Sequence, residues 1–232
     1  MEKVLLVIAA HPDDEILGCA GTVILRVTQG WKAHLLILTR GVEGREYQGE
    51  DADNVVLKQI AISEQTALAA KIVGFSSVHN LGLPDNRLDT ISKNDIYLNI
   101  KKIVRTLNPS LILTHHPGDY NWDHTLCFEA VIMATRANYP EVFPTEILSF
   151  EVLSSTERAW QSPDRAFHPS VYINVKHTIE RKKQAMLCYS DECHAYPHPR
   201  SPEGIEYLAR KRGLEVGLEY AEAFHLIRKI EL

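Results

Sequence analysis

Two short stretches of this sequence concentrate groups that can hold a cation and move a proton. In the first, His11-Pro12-Asp13-Asp14-Glu15 sets one imidazole beside three carboxylates. A His and an Asp three residues apart on one turn can aim at a single point, and a divalent ion such as zinc accepts that pair of donors. The second stretch, His115-His116-Pro117-Gly118-Asp119-Tyr120-Asn121-Trp122-Asp123-His124, holds three histidines and two aspartates within ten residues. Ordinary structural uses cover part of this. Carboxylates at a helix start satisfy free N–H groups and favour the positive end of the dipole, and Asn and Asp gather in turns. Those uses leave His11 unexplained, and two such clusters are harder to dismiss than one. His11, Asp14 and His124 together make a set of two nitrogens and one carboxylate. A catalytic zinc takes three protein ligands and keeps a position open for water.

Such a set needs a scaffold that brings the two stretches together. Val4–Ala10 reads as a strand buried on both faces, as in a parallel sheet, and it ends directly in the first cluster. Ile16–Leu25 behind it reads as a helix. Leu111–Thr114 is a strand that ends in the second cluster, with a helix over Asp123–Asn138 beyond. Between them lie a strand at Ala33–Thr39 and a helix at Asp53–Val73, whose apolar positions are Val56, Ile60, Ala67, Leu68 and Ile72. A short strand at Ser77–Leu81 and a helix at Ser92–Leu107, stopped by Asn108-Pro109, complete this part. The alternation predicts βαβ units and a mostly parallel sheet. Right-handed crossovers put the carboxyl ends of its strands along one edge, where open α/β sheets bind ligands.

After Tyr139-Pro140 the pattern changes. Glu146–Leu153 and Ser170–Asn174 read as strands without full helical crossovers, His177–Cys188 and Glu203–Arg212 as helices, and Phe224–Ile230 as a closing strand. The expected fold is α/β: a Rossmann-like, mostly parallel sheet flanked by helices, with an elaborated C-terminal third over the active edge. Residues 1–232 read as a single domain.

Composition narrows the function. Hydrophobic residues make up 45% of the chain, enough for a sizeable core, and the formal charge of −5 carries no basic footprint for nucleic acid. The apolar runs are far shorter than the roughly 20 residues a membrane helix needs, and the N-terminus has no signal-peptide pattern. Cys19, Cys127, Cys188 and Cys193 show no CxxC spacing. The first two read as buried thiols; the other two flank a polar turn beside His194, and a reducing cytoplasm is the simplest compartment. The first strand–helix turn has no GxGxxG and sets acidic residues where a phosphate would sit, which argues against a nucleotide-binding module.

AHPDDE followed by GCAGT, and then HPGDYNWDH, resemble the PIG-L/LmbE-like family of zinc-dependent N-acetylglucosaminide deacetylases. LGLPD at 81–85, KKQAMLCYSD, PHPRS and the stretch from RG at 212–213 to YAEAF at 220–224 extend the resemblance over most of the chain. It implies zinc on His11, Asp14 and His124, with Asp13 as general base. The split makes chemical sense, because a carboxylate bound to a metal is a poor base and its unbound neighbour can take a proton from activated water. The implied substrate is a small-molecule N-acetylated sugar conjugate, with acetate released and a homo-oligomer as a family expectation.

The resemblance also distributes the supporting roles. Some members carry a His three residues before the last zinc ligand. Here that position is Asn121, which can donate a hydrogen bond to an oxyanion but cannot serve as an acid. Asp123 is expected to orient an imidazole or tune Asp13. Asp85 resembles the family's acceptor for sugar hydroxyls, against the plainer reading of a turn residue. Arg200 is similar to a family motif near the substrate. Arg45, after the second strand, is a candidate for sugar or an anionic aglycone, or else a solvated loop residue. His194 and His198 lie over the pocket or are ordinary surface histidines. A competing reading, a phosphoesterase, would recruit a second metal, for which His115, His116 and Asp119 are the available ligands.

Overall fold

The computed structural model describes residues 3–42, 52–137, 144–160 and 162–231. Among them seven strands form one sheet in the order β3-β2-β1-β4-β5-β7-β6. They are β1 (Val4–Ala9), β2 (Lys32–Thr39), β3 (Ser77–Leu83), β4 (Leu111–His115), β5 (Glu146–Phe150), β6 (Val171–Asn174) and β7 (Ala221–Lys229). The first five run parallel, and β7 pairs antiparallel with both β5 and β6. β1 is central, and its side chains alternate between two cores. Leu5 and Val7 enter one, Leu6 and Ile8 the other, all at 0% exposure. This is why its sequence is an unbroken apolar run. From β1 the chain first builds outward through β2 and β3, then returns to add β4 on the other side. That reversal opens a crevice at the carboxyl ends of β1 and β4, the ligand position of such sheets.

Helices α1 (Asp14–Thr28), α2 (Ala52–Val73), α5 (Ile179–Met186) and α6 (Pro202–Leu214) cover one face. α3 (Lys93–Leu107) and α4 (Trp122–Ala134) cover the other. α1 packs closely against the sheet because two glycines make room. A Cβ at Gly18 would stand 2.2 Å from the Phe150 ring, and one at Gly21 would meet Val175 and Glu222. Glu222, from β7, reaches the backbone of α1 and accepts the N–H groups of Gly21 (2.9 Å) and Thr22 (2.7 Å). Lys182 of α5 donates to Glu222 (2.6 Å) and to the carbonyl of Leu17 (2.9 Å). The pair is almost fully buried, and its contacts with Leu17, Gly21 and Thr22 fasten α1 to the C-terminal third.

The elements differ from the sequence expectation in several places, and β5 stops at Phe150, short of Leu153. α2 turns Val56, Ile60 and Leu68 outward, at 53, 51 and 58% exposure, and Ala67 is exposed too. Its inward stripe is Ile62, Thr66, Ala69, Ala70 and Val73, smaller side chains that allow a close approach to α1 and α5. The buried face of α2 follows the helical spacing of its small residues and not the positions of its largest apolar ones. α4 ends at Ala134, with Thr135 as its cap, and Asn138 lies outside the described residues. β7 is interior, and β6 takes the edge of the sheet.

Candidate active site

The two clusters meet in the β1/β4 crevice. Asp13 adopts a left-handed backbone (φ 98°), rare for a residue with a Cβ. Its carbonyl accepts the N–H groups of Ile16 and Leu17, both at 2.9 Å, which starts α1 at Asp14. Its own N–H is held by Glu15 Oε2 at 3.1 Å, and Glu15 Oε1 accepts the hydroxyl of buried Tyr189 at 2.7 Å. On the β4 side, Asn121 caps α4 by accepting the Asp123 N–H at 2.8 Å, and this puts His124 in the first helical turn.

Three donor atoms converge. His11 Nδ1 lies 3.2 Å from Asp14 Oδ2 and 3.1 Å from His124 Nε2, and the latter two are 3.3 Å apart. Tetrahedral zinc with bonds of about 2.0–2.1 Å sets its donors about 3.3–3.4 Å from one another, so this triangle fits the ion. Each imidazole also presents its other nitrogen to a carboxylate. His11 Nε2 faces Asp85 (3.0 Å) and Asp123 (3.3 Å), and His124 Nδ1 faces Asp119 (3.1 Å). Carboxylates in that position fix the tautomer and ring orientation of metal-ligating histidines. They are themselves fixed. Asp123 accepts the Leu88 N–H at 3.1 Å, and Asp119 accepts the hydroxyls of Ser155 and Thr156 and the N–H of Asn121.

The electrostatics agree with a cation site. Burial alone would lower the pKa of His124, but Asp14 and Asp119 outweigh it and push it up to about 9. Burial opposes His11 in the same way, and its bonds to Asp123, Asp14 and Asp85 carry it well above the ordinary value. Asp14 would be raised by burial, yet the charge of His124 and the bonds from His11 and His124 hold it well below the usual carboxylate range. The cluster thus gathers protons on its imidazoles because carboxylates surround them, and a divalent ion offers the same positive charge. Asp13 behaves differently. Burial raises it, opposed by Arg200, whose Nη1 donates to Asp13 Oδ2 at 3.0 Å.

The remaining sequence candidates separate. Asp85 lines the pocket beside His11, so it supports that ring as well as facing any ligand. Asn121 lines it too, but its amide oxygen serves the helix cap and its Nδ2 donates to Asn86 Oδ1 at 3.1 Å. Arg200 reaches the site, held by Asp13, by Glu192 at 2.5 Å and by Ser154 Oγ at 2.7 Å. Arg45 lies outside the described residues. His198 accepts the Arg200 N–H at 3.1 Å and stacks edge-on with exposed His194, and neither lines the pocket.

The second-metal set does not assemble. His115 Nε2 accepts the Ala10 N–H at 2.8 Å, and burial drives that imidazole down to about 3, so it is a neutral ring stacked on His124. His116 Nε2 donates to the Arg165 carbonyl instead. A second trio, His11 with Asp85 and Asp123, shares the His11 ring with the first, and its carboxylates accept that ring's N–H more simply than they would hold a second ion. Sequence reasoning missed Glu192, Ser154 and Ser155, which line the pocket, and the role of Asp119 behind His124. Asp119 stood in the second cluster and was legible as a candidate ligand. The serines carry no local signal.

These groups open into a pocket of about 210 Å³. A larger groove between α3 and α4, about 580 Å³, is mostly apolar, and its Lys93 and Glu129 pair with each other at 2.7 Å. Size therefore does not mark the chemistry here.

Both strand–helix junctions fall inside the match to one family model, PIG-L: GlcNAc-PI de-N-acetylase, which spans residues 6–135. The chain belongs to the PIG-L family. It is a deacetylase, a hydrolase acting on an amide bond. A probable N-acetyl-alpha-D-glucosaminyl L-malate deacetylase 2 of Bacillus subtilis is 31% identical over 192 residues, covering 82% of this chain and 83% of the relative. The 4-oxalmesaconate hydratase of Pseudomonas putida is 25% identical over 211 residues, covering 85 and 77%. Among solved structures, the N,N'-diacetylchitobiose deacetylase of Pyrococcus horikoshii superposes with a TM-score of 0.77 at 18% identity, covering 97% of this chain and 84% of that one, and shares the fold. Among the described residues, no helix is long and apolar enough to cross a membrane.

Proposed function

We propose that this PIG-L member is a zinc-dependent deacetylase that removes the N-acetyl group from an N-acetylglucosamine-type sugar or its conjugate and releases acetate. The observation that carries the reading is the triangle of His11, Asp14 and His124, with an unbound carboxylate, Asp13, on the adjoining residue. When bound there, zinc acidifies a water and polarises a carbonyl. The chain's own groups do the rest. His11, Asp14 and His124 would hold the ion at the edge of the pocket. Asp13, fixed by its strained backbone and by Arg200, takes a proton from the attacking water and returns it to the leaving amine. Asp85 accepts hydrogen bonds from sugar hydroxyls, and Arg45 is a further candidate for the aglycone. The hydratase relative offers the alternative of adding water to an activated double bond. Its substrate carries several carboxylates, and among the described lining residues the single Lys or Arg, Arg200, is already paired with Asp13 and Glu192.

The test is acetate release from a panel of N-acetylated glycosides, with metal analysis on the same preparation and 4-oxalmesaconate as the second arm. About one zinc per chain with acetate release supports the proposal. Hydration of 4-oxalmesaconate without acetate release would replace it.

A further inference from the structure

The guanidinium of Arg200 is held more completely than a partner for Asp13 requires. Its Nε donates to Ser154 Oγ (2.7 Å), and the two hydrogens of Nη1 go to Asp13 Oδ2 (3.0 Å) and Glu192 Oε2 (2.5 Å). An arginine carries five donors in a rigid fork. The remaining two, both on Nη2, have no partner among the described residues. The side chain is 23% exposed and lines the same pocket as His11, Asp13 and His124. The three anchors come from the start of α1, from the segment after β5 and from the turn that follows α5. They lock the plane of the fork.

The other donor expected here does not serve as well. Asn121 spends its amide oxygen on the cap of α4 and an amide hydrogen on Asn86, and it is neutral. Ser155 gives its hydroxyl to Asp119. From this arrangement we infer that Arg200 is a catalytic residue, whose Nη2 donates to the oxygen of the scissile acetyl carbonyl as that oxygen becomes an oxyanion. The inference rests on the deacetylase reading above and adds a residue to it.

The step balances without further reactants. Water oxygen bonds to the carbonyl carbon, the π pair moves onto the carbonyl oxygen, and Asp13 takes the water proton. As the C–N bond breaks, that proton passes to the amine nitrogen, the carbonyl re-forms and acetic acid leaves, losing its remaining proton to solvent as acetate. No bond to Nη2 changes. Its hydrogens donate to the same oxygen throughout, and donors preorganised in this way need no rearrangement when the charge develops.

Two measurements on the zinc-loaded full chain decide the inference. In the first, Arg200→Ala should keep its zinc and lower kcat about 10²–10³-fold, the usual loss of an oxyanion donor, with KM changed only a few-fold. Guanidinium added to the assay should restore part of the rate, and Arg200→Lys, with charge but no fork, should fall between. In the second, methylphosphonate, a small tetrahedral anion, is titrated calorimetrically without turnover. Arg200→Ala should weaken its binding at least tenfold. A loss confined to KM, an absence of guanidinium rescue, or unchanged methylphosphonate affinity would each overturn the assignment. The two readings fail separately. A native chain that releases no acetate ends the deacetylase reading, and the methylphosphonate titration still decides Arg200.

Discussion

The parallel half of the sheet and the C-terminal third contribute to one pocket in different ways. The parallel half supplies the groups proposed to hold a metal. His11 and Asp14 follow directly on β1, and His124 stands in the first turn of α4, after the loop that leaves β4. The C-terminal third supplies groups that hold others in place. Ser155 and Thr156 fix Asp119 behind His124, Ser154 and Glu192 fix Arg200 against Asp13, and Tyr189 fixes Glu15 beneath it. Behind these, Lys182 and Glu222 fasten the backbone of α1. The ligands depend on local chain geometry, a tight turn at the end of a strand. The buttresses depend on distant segments meeting. A substitution in the first half should therefore remove chemistry, and one in the second should loosen it or destabilise the fold.

The largest effect tests the first half of that contrast. His11→Ala, Asp14→Ala and His124→Ala should each lose most bound zinc and more than about 10³-fold in activity, because three ligands leave no redundancy and the ion contributes several kcal/mol to the transition state. Metal analysis after gel filtration checks this, and a variant that keeps full zinc was misassigned. Next comes Asp13→Asn, which should keep zinc and fold while turnover falls roughly 10²–10⁴-fold, the scale of general-base catalysis. Kinetics and metal content from one preparation separate it from the ligands.

Smaller effects belong to the buttresses. Lys182→Met should cost about 3–5 kcal/mol in denaturant unfolding, since it leaves the Glu222 charge buried without its partner. Zinc per folded chain should stay near the native value. Should the zinc be lost while stability holds, the division between the two regions is wrong. Asp119→Ala should weaken zinc affinity about 10–100-fold by freeing the ring of His124, measured by chelator competition. The smallest expected change is at Asp85. Asp85→Ala should lower kcat/KM by about 1–3 kcal/mol of lost hydrogen bonding on glycosides with free hydroxyls. The loss should be less on simple acetamides. Equal losses on both, or a loss of zinc, would make Asp85 a support for His11 instead of a contact for sugar.

Much of this molecule is legible in one dimension. The apolar run of β1 fixes a doubly buried strand, because only a central strand can hide Leu5 through Ala9 on both faces. The alternation that follows sets the parallel sheet, and the residue types that follow β1 and β4 mark the proposed metal-ligand set. These signals are local, and a strand end aims its next few residues toward one edge whatever else the chain does. What only the tertiary structure decided lies at long range. It chose which face of α2 is buried, since Ile62, Ala69 and Val73 are no more apolar than the exposed Val56, Ile60 and Leu68. It joined Glu222 to α1 across 201 residues and Arg200 to Asp13 across 187. It gave the Asn121 amide oxygen to a helix cap and brought Arg200 into the lining of the pocket. A buried polar group must find its partner wherever packing puts one, and sequence spacing carries no record of where that is.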